Sequence, residues 1–256
     1  GTDAAVAMAM GHVILSEFYF KRRSAYFDDY ARRYTDLPML VVLKQRTGPD
    51  GKPLLVPDRY LRASDLTGEL GQSNNPEWKT LACDASGKVV VPNGAIGFRW
   101  GPDGRPDAGQ WNLEAKEAGG GSEVRLRLSV TEGEQAAELQ RVGFPYFGGI
   151  QTPHFDNNPG EEVVVREVPV QRIVLDPAAA ASEVVVATVF DLLAANYGVV
   201  RGPGGEAIEP DYDADAPYTP AWQEKITGVP REQVIAVARE FADNAERTEG
   251  RSMVII

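Results

Sequence analysis

The two helices predicted near the start of the chain differ in how their apolar positions are arranged. Residues 2–18 carry Ala, Met, Val, Ile and Leu on nearly all faces, which predicts a helix buried on most sides, with Thr2 or Asp3 as its N-cap. A second helix is expected after Ser24, because aromatic residues and Ala recur at helical spacing over 26–34. Two arginines near its end suit a helix C-terminus.

Three later segments have simpler patterns. The run "LPMLVVLKQ" is short and continuously apolar, which predicts a buried strand, and the final residues "SMVII" have the same composition. Between them, "PREQVIAVAREFADN" places its apolar residues on one face and its charged residues on the other. This pattern predicts an amphipathic helix, and Pro230 suits its first turn.

The middle of the chain is rich in Gly, Pro, Asp and Asn and contains short alternating runs. Residues 77–100 predict a hairpin with its turn at 84–87. The segment "SEVRLRLSV" alternates apolar and polar positions, which predicts a half-buried strand over 122–130. Residues 161–176 predict one or two further strands, and residues 182–198 predict a strand that leads into a helix.

In chain order, these elements predict a mixed α/β fold in which a frame of helices and strands carries a long β-rich insertion. Residues 1–45 are assigned to a helix-helix-strand unit and residues 46–181 to the β-rich insertion. Residues 182–256 are assigned to a helical return segment that ends in a strand.

Composition narrows the function classes. The 256 residues have a formal net charge of -11, which argues against nonspecific binding to nucleic acid. The longest apolar run, Ala4 to Leu15, is too short to cross a bilayer, so direct membrane insertion is not expected, and we recognise no targeting signal. With one Cys and two His, the chain alone is not expected to form an internal disulfide or to bind structural zinc or an iron-sulfur cluster.

Several candidate residues have an ordinary structural interpretation beside a functional one. His12 and His154 are favoured as a hydrogen-bonded core or surface histidine and a surface loop histidine, with a catalytic base as the alternative for each. Arg99 with Trp100 is favoured as a strand-edge pair, with ligand binding as the alternative. The Gly-Gly pair of "VGFPYFGG" is favoured as a packed turn, again with ligand binding as the alternative. Asp211, Asp213 and Asp215 are favoured as a solvated acidic linker, with cation binding as the alternative.

Several motifs resemble a known family. "GTDAAVAMAMGHVI", "YTPAWQEKITGVPREQVIAVAREFA" and the following "SMVII" resemble segments of molybdopterin-dependent oxidoreductases of the dimethyl sulfoxide reductase family. Within that family, "YFDDYARRYTDLPMLV", "NNPEWKT", "NGAIGFRWG", "VGFPYFGG" and "TVFDLLAANYG" resemble the catalytic alpha subunits of membrane-bound respiratory nitrate reductases. The resemblance covers the whole chain and implies that it is an internal segment of a longer subunit, with a partial Rossmann-like frame.

The resemblance implies a cofactor and a site. Members of the family reduce nitrate to nitrite at molybdenum held by two molybdopterin guanine dinucleotides, and they also contain an iron-sulfur cluster. By the resemblance, Asp3 contacts the guanine of one dinucleotide and Thr2 binds the nucleotide or caps the helix. The carboxylate ligand of molybdenum and the Cys and His ligands of the cluster are implied to lie outside this chain. No catalytic or metal-binding residue is therefore assigned within it.

The resemblance also implies partners and a location. These are an iron-sulfur beta subunit and a membrane gamma subunit, at the cytoplasmic face of the cell membrane, with nitrate as substrate. We expect the isolated chain to be inactive and to bind none of these cofactors. Two alternatives stay open, namely a stand-alone binding module on the same scaffold, and the equivalent segment of a chlorate or selenate reductase.

Overall fold

The computed structural model describes residues 2–72, 76–92, 124–133, 137–146, 163–179, 182–202, 206 and 208–254. Six α-helices and seven strands are formed within these ranges. The helices are α1 (Asp3–Ile14), α2 (Ala25–Tyr34), α3 (Glu69–Gln72), α4 (Val189–Asn196), α5 (Pro220–Thr227) and α6 (Arg231–Arg247). The strands are β1 (Leu40–Thr47), β2 (Pro53–Tyr60), β3 (Ala82–Cys83), β4 (Val89–Val90), β5 (Glu138–Pro145), β6 (Val163–Val174) and β7 (Glu183–Thr188).

Five of the strands close into a barrel in the order β1-β2-β5-β6-β7. Four of the five neighbouring pairs are antiparallel, and β2 meets β5 in parallel through one residue pair, Leu55 with Val142. The mixed α/β class is therefore confirmed. A Rossmann-like frame is not confirmed among the described strands, since it would need several parallel neighbours. The domain boundaries at 45/46 and 181/182 stay a prediction.

The barrel is filled by side chains that alternate along its strands. Val142 and Phe144 of β5 face Val168 and Val170 of β6 in one buried cluster, and α4 adds Leu192 to the same cluster. Period-two alternation brings these positions to one face of each strand. The apolar side chains removed from water in this way are the main stabilising contribution to the barrel.

A buried ion pair fastens α4 to two neighbouring segments. Thr188 caps α4 by accepting a hydrogen bond from the backbone N–H of Asp191 at 3.0 Å. The Asp191 carboxylate is fully buried and lies 2.6 Å from Nη1 of Arg201, whose guanidinium also stacks on Phe20. Ser129 donates a further hydrogen bond to the same carboxylate at 2.7 Å.

Helices α1, α5 and α6 pack against one another. Helix α1 contacts both α5 and α6, and Arg22 joins α6 through ion pairs to Asp243 and Glu246. None of the helices in the described ranges is both long enough and apolar enough to span a bilayer.

Most of the predicted elements are confirmed. The first helix forms over Asp3–Ile14 and continues as a π-helix over Leu15–Lys21. The helix after Ser24, the strand "LPMLVVLKQ", the 84–87 hairpin turn, the strand-to-helix transition near 188 and the helix after Pro230 are also present. Ser24 occupies the N-cap position, but its hydroxyl donates to Glu246 at 2.7 Å instead of capping the helix.

The strand predicted over 122–130 is wrong. Within 124–130 a single isolated bridge, Asp84 with Leu126, replaces the expected strand, and Arg127 is buried although alternation placed it outside. Arg127 packs against Gly87 and Gly133, and these contacts override the periodicity of the segment. Of the other predicted strand, "SMVII", residues 252–254 are described and none of them belongs to a strand, and Met253 is 78% exposed. Residues 255 and 256 lie outside the described ranges, so this strand stays a prediction.

Candidate functional site

The two residues singled out for ligand contact lie at the N-terminal end of α1. Asp3 is the first residue of the helix and Thr2 is its N-cap, and both are exposed. The Thr2 carbonyl accepts the first helical hydrogen bond from the Ala5 N–H at 2.9 Å, but the Thr2 side chain makes no capping bond. In the described part of the chain, the Asp3 carboxylate has no hydrogen-bond or ion-pair partner.

Close packing fixes the middle of α1 against the end of α4. Gly11 lies against the ring of Tyr197 so closely that a Cβ at this position would stand 2.1 Å from Cε1 of that ring. The next residue, His12, is 3% exposed, and its Nδ1 lies 2.7 Å from the Tyr197 carbonyl oxygen. The contacts of Gly11 and His12 with Tyr197 therefore fix both the position and the rotation of α1.

His12 is the buried, hydrogen-bonded histidine that the sequence favoured. Burial lowers the pKa of its imidazole, although the hydrogen bond to the Tyr197 carbonyl opposes this shift. Its ring also meets Tyr212 edge to face, with the centroids 5.8 Å apart. These contacts give His12 a packing role that explains its burial.

The π-helix that continues α1 carries a second attachment. Its Glu17 accepts hydrogen bonds from Arg239 at 2.7 Å and from the Tyr212 hydroxyl at 2.8 Å. Burial opposes ionisation of this carboxyl, but the bonds from Arg239 and Tyr212 outweigh it and lower the pKa of Glu17. A π-helix often marks a functional region. Glu17 of this π-helix contacts Arg239 of α6. Helix α1 and its π-helical continuation are thus held in place at His12 and at Glu17, beyond the exposed N-terminus.

The exposed end of α1 has the chemistry of an acceptor site. A carboxylate in the first turn is stabilised by the helix dipole, and it accepts two hydrogen bonds side by side. Guanine offers such a pair of donors, N1–H and the N2 amino group, so the ligand implied by the resemblance fits Asp3. Among the described residues there is no group of three His, Cys, Asp or Glu side chains that would hold a metal ion.

Several other sequence candidates are not described. His154, Arg99, Trp100 and the Gly148-Gly149 pair lie outside the described residues. The acidic linker of Asp211, Asp213 and Asp215 lies within the described residues. Its Asp211 carboxylate accepts hydrogen bonds from the backbone N–H groups of 213 and 214. Asp213 and Asp215 pair with the cations Arg231 and Lys225, which ties the linker to α5 and α6.

Three of the buried charged residues, Asp191, Arg201 and Arg127, have no functional assignment from the sequence. Thr188 and Asp191 follow the spacing of an N-cap and its third helical residue, so a local signal for that carboxylate exists. Its cation, Arg201, is ten residues further on and has no such signal. The buried guanidinium of Arg127 has no such signal either, because part of its surroundings comes from the turn at Gly87, which is distant in sequence.

Comparison with known proteins identifies relatives along the whole chain. The "Respiratory nitrate reductase 1 alpha chain" of Escherichia coli (strain K12) is 50% identical over 256 residues, which is 100% of this chain and 19% of the relative. The "Nitrate reductase alpha subunit" of Mycobacterium tuberculosis (strain CDC 1551 / Oshkosh) is 44% identical over 259 residues, and the "Nitrate reductase alpha chain" of Bacillus subtilis (strain 168) is 40% identical over 257 residues. In both cases the match again covers 100% of this chain and 19% of the relative. The chain thus spans about a fifth of the length of these relatives. No protein-family model matches it.

Proposed function

Because this chain belongs by sequence to the respiratory nitrate reductase alpha chains, we propose that it forms part of the cofactor-binding wall of such a subunit. The observation that carries the proposal is identity of 40% to 50% along the entire chain to proteins named as nitrate reductase alpha chains or subunits. That agreement also favours nitrate over chlorate or selenate as the substrate. A stand-alone binding module is disfavoured, since the similarity continues through every element of the fold.

Within this wall, Asp3 accepts the N1–H and N2 amino donors of a guanine from a molybdopterin guanine dinucleotide. The exposed carboxylate, its lack of a partner in the described chain, and its place in the first turn of a firmly held helix support this role. Thr2 binds the same nucleotide through its hydroxyl or remains a helix cap. When bound, the cofactor supplies molybdenum for oxygen-atom transfer from nitrate.

The residues of this chain bind and orient the cofactor and carry out no chemical step. The contacts of His12 with Tyr197 and of Glu17 with Arg239 hold α1 in place, so that its N-terminus meets the nucleotide without further ordering. The ligands of molybdenum and of an iron-sulfur cluster are then contributed by other parts of the subunit. The isolated chain should accordingly show no nitrate reduction.

We further propose partners and a location for the subunit. A subunit of this kind works with an iron-sulfur beta subunit and a membrane gamma subunit that oxidises quinol. The assembly lies at the cytoplasmic face of the cell membrane. The formal net charge of -11 argues against a nucleic-acid contact by this chain. None of its helices in the described ranges is suited to span a bilayer.

Substitution of Asp3 in the full-length protein tests the site. In Asp3→Asn, an NH2 group replaces one carboxylate oxygen and presents N–H groups to the guanine donors. The amounts of bound guanine nucleotide and of bound molybdenum should therefore fall together. Two hydrogen bonds to a charged group are at stake, each worth about 1.5–3 kcal/mol, so affinity should fall by at least tenfold. Asp3→Glu keeps the carboxylate and should retain part of the cofactor.

A matched control separates cofactor contact from helix capping. Asp58→Asn makes the same chemical change at an exposed position on β2 and should leave the cofactor content unchanged. If Asp3 acts only through the helix dipole, Asp3→Asn should lower thermal stability by about 0.3–1 kcal/mol with full molybdenum content. That result would exclude the guanine contact.

A further inference from the structure

A cleft lies on the side of the molecule formed by the start of α2, the turn between β3 and β4, and residues 124–133. Its volume is about 440 Å³, which is large enough for a small ligand or an inserted side chain. The charged residues that line it are Arg23, Asp28, Arg32, Arg125, Arg127 and Glu132. Four cations thus face two carboxylates, in a chain that is strongly acidic as a whole.

The two carboxylates of the cleft are already engaged by one arginine. The Arg32 guanidinium lies 2.7 Å from Asp28 and 2.8 Å from Glu132. Burial opposes its charge, but these two partners outweigh burial and raise the pKa of Arg32. Arg125 shares Asp28 at 3.0 Å, while its own side chain is 69% exposed. Among the described residues, no carboxylate forms an ion pair with Arg127.

Arg127 is the unusual member of the cleft. It is 2% exposed, and its Nη2 donates a hydrogen bond of 3.2 Å to the carbonyl oxygen of Ala85. Its Nε and Nη1 are buried and have no acceptor in the described part of the chain. A buried guanidinium that lacks an anion is strongly unfavourable, so an acceptor of negative charge is expected beside it.

The space around the guanidinium is built by two turns. Gly87 and Gly133 both have a left-handed backbone, with φ of +88° and +99°. A Cβ at Gly87 or Gly133 would stand 2.9 Å or 2.3 Å from Nη2 of Arg127. The guanidinium is therefore held between the backbones of Gly87 and Gly133, which belong to two different turns. This arrangement positions Arg127 and is not a chance burial of a surface residue.

We propose that this cleft is an oxyanion-binding site in which Arg127 is the central donor and Arg125 and Arg23 supply charge at the rim. The ligand is a carboxylate or a similar small oxyanion, which accepts hydrogen bonds from the free N–H groups of Arg127. Its source is either an acidic side chain elsewhere in the full-length protein or a free anion from solution. The site is independent of Asp3 and of the cofactor contact proposed above.

A structure of the full-length protein, determined in sulfate-free buffer and again with added sodium sulfate, tests the proposal directly. We expect an anionic oxygen within about 3.2 Å of Nε or Nη1 of Arg127. A carboxylate seen in both conditions identifies a protein segment as the ligand, and a sulfate seen only in the second identifies a free anion. A neutral acceptor, such as a carbonyl oxygen or water in both structures, would overturn the proposal.

Variants then test whether the contact has a thermodynamic effect. For a free anion, sulfate titrated at constant ionic strength should bind at least tenfold more weakly to Arg127→Gln, as expected for a lost charged hydrogen bond. Arg125→Gln, which perturbs only the exposed rim, should weaken binding to a smaller extent. Arg141→Gln is the matched control, since Arg141 pairs with Asp50 outside the cleft, and it should bind sulfate normally. Equal sulfate binding by Arg127→Gln and this control would contradict the assignment.

For a protein carboxylate, a double-mutant cycle takes the place of the titration. Conversion of that carboxylate to its amide should destabilise the protein as Arg127→Gln does, and the double variant should be little worse than either single variant. Additive losses would show that the two groups do not interact.

Discussion

The buried carboxylate of Asp191 is the position where a change of one atom should have the largest effect on stability. The carboxylate is fully buried and accepts four hydrogen bonds. The donors are Nη1 of Arg201 at 2.6 Å, the Ser129 hydroxyl at 2.7 Å, the Thr188 hydroxyl at 2.8 Å and the backbone N–H of Val130 at 2.9 Å. In Asp191→Asn, the new amide must point its N–H groups at two of these donors, whichever way it is turned.

The expected cost follows from the burial of both partners. The side chains of Asp191 and Arg201 are 0% and 3% exposed, so the arginine would keep its charge in the interior without a counter-ion. Removal of one partner from such a pair costs about 3–5 kcal/mol. For a chain of this length, each kcal/mol lowers the melting temperature by about 2–4 °C, which predicts a fall of roughly 6–20 °C.

Thermal unfolding followed by circular dichroism measures this loss. Arg141→Gln breaks an exposed pair with Asp50 and should cost no more than about 1 kcal/mol, so it controls for the loss of any ion pair. The double variant Asp191→Leu with Arg201→Met should recover much of the stability, because no unpaired charge remains. A loss of less than about 1 kcal/mol in the free energy of unfolding of Asp191→Asn would refute a major stabilising role for the Asp191–Arg201 pair.

Three further results are expected. Burial lowers the pKa of His12, so stability should decrease as pH falls below about 6.5, where the unfolded chain takes up the proton, and His12→Gln should reduce this dependence in urea titrations. Gly11→Ala should cost about 1–3 kcal/mol, because the added methyl group would meet the Tyr197 ring at 2.1 Å, and an unchanged melting temperature would contradict that contact. Burial raises the pKa of the Cys83 thiol, so Ellman's reagent should react with it only on unfolding, and rapid reaction of the native protein would contradict its burial.

Local patterns predicted most helices and several strands, because those elements bury one face or one continuous run. The strand after residue 182 and the helix that follows it are examples, since β-branched residues give way to helical spacing at Thr188. The barrel was not predictable in the same way. Which strands become neighbours, and whether they run parallel, depends on contacts between distant segments such as β1 and β7.

The errors have the same origin. Residues 124–130 alternate like a strand, yet Arg127 is buried because Gly87 and Gly133 approach it from turns far apart in sequence. Ser24 has the residue type and position of a cap, but its hydroxyl bonds to Glu246 of a helix more than two hundred residues later. At the candidate site, the exposed position of Asp3 agrees with ligand contact, while its role came from the resemblance and stays a prediction.

Analysis of the purified full-length protein for molybdenum and for guanine nucleotide tests the central claim most directly. The claim predicts molybdenum in the protein, together with guanine nucleotide released on acid hydrolysis at about two per metal, as the resemblance to this family implies. Protein with neither molybdenum nor guanine nucleotide, purified from cells that assemble the cofactor in other enzymes, would contradict the assignment of this chain to a cofactor-binding wall.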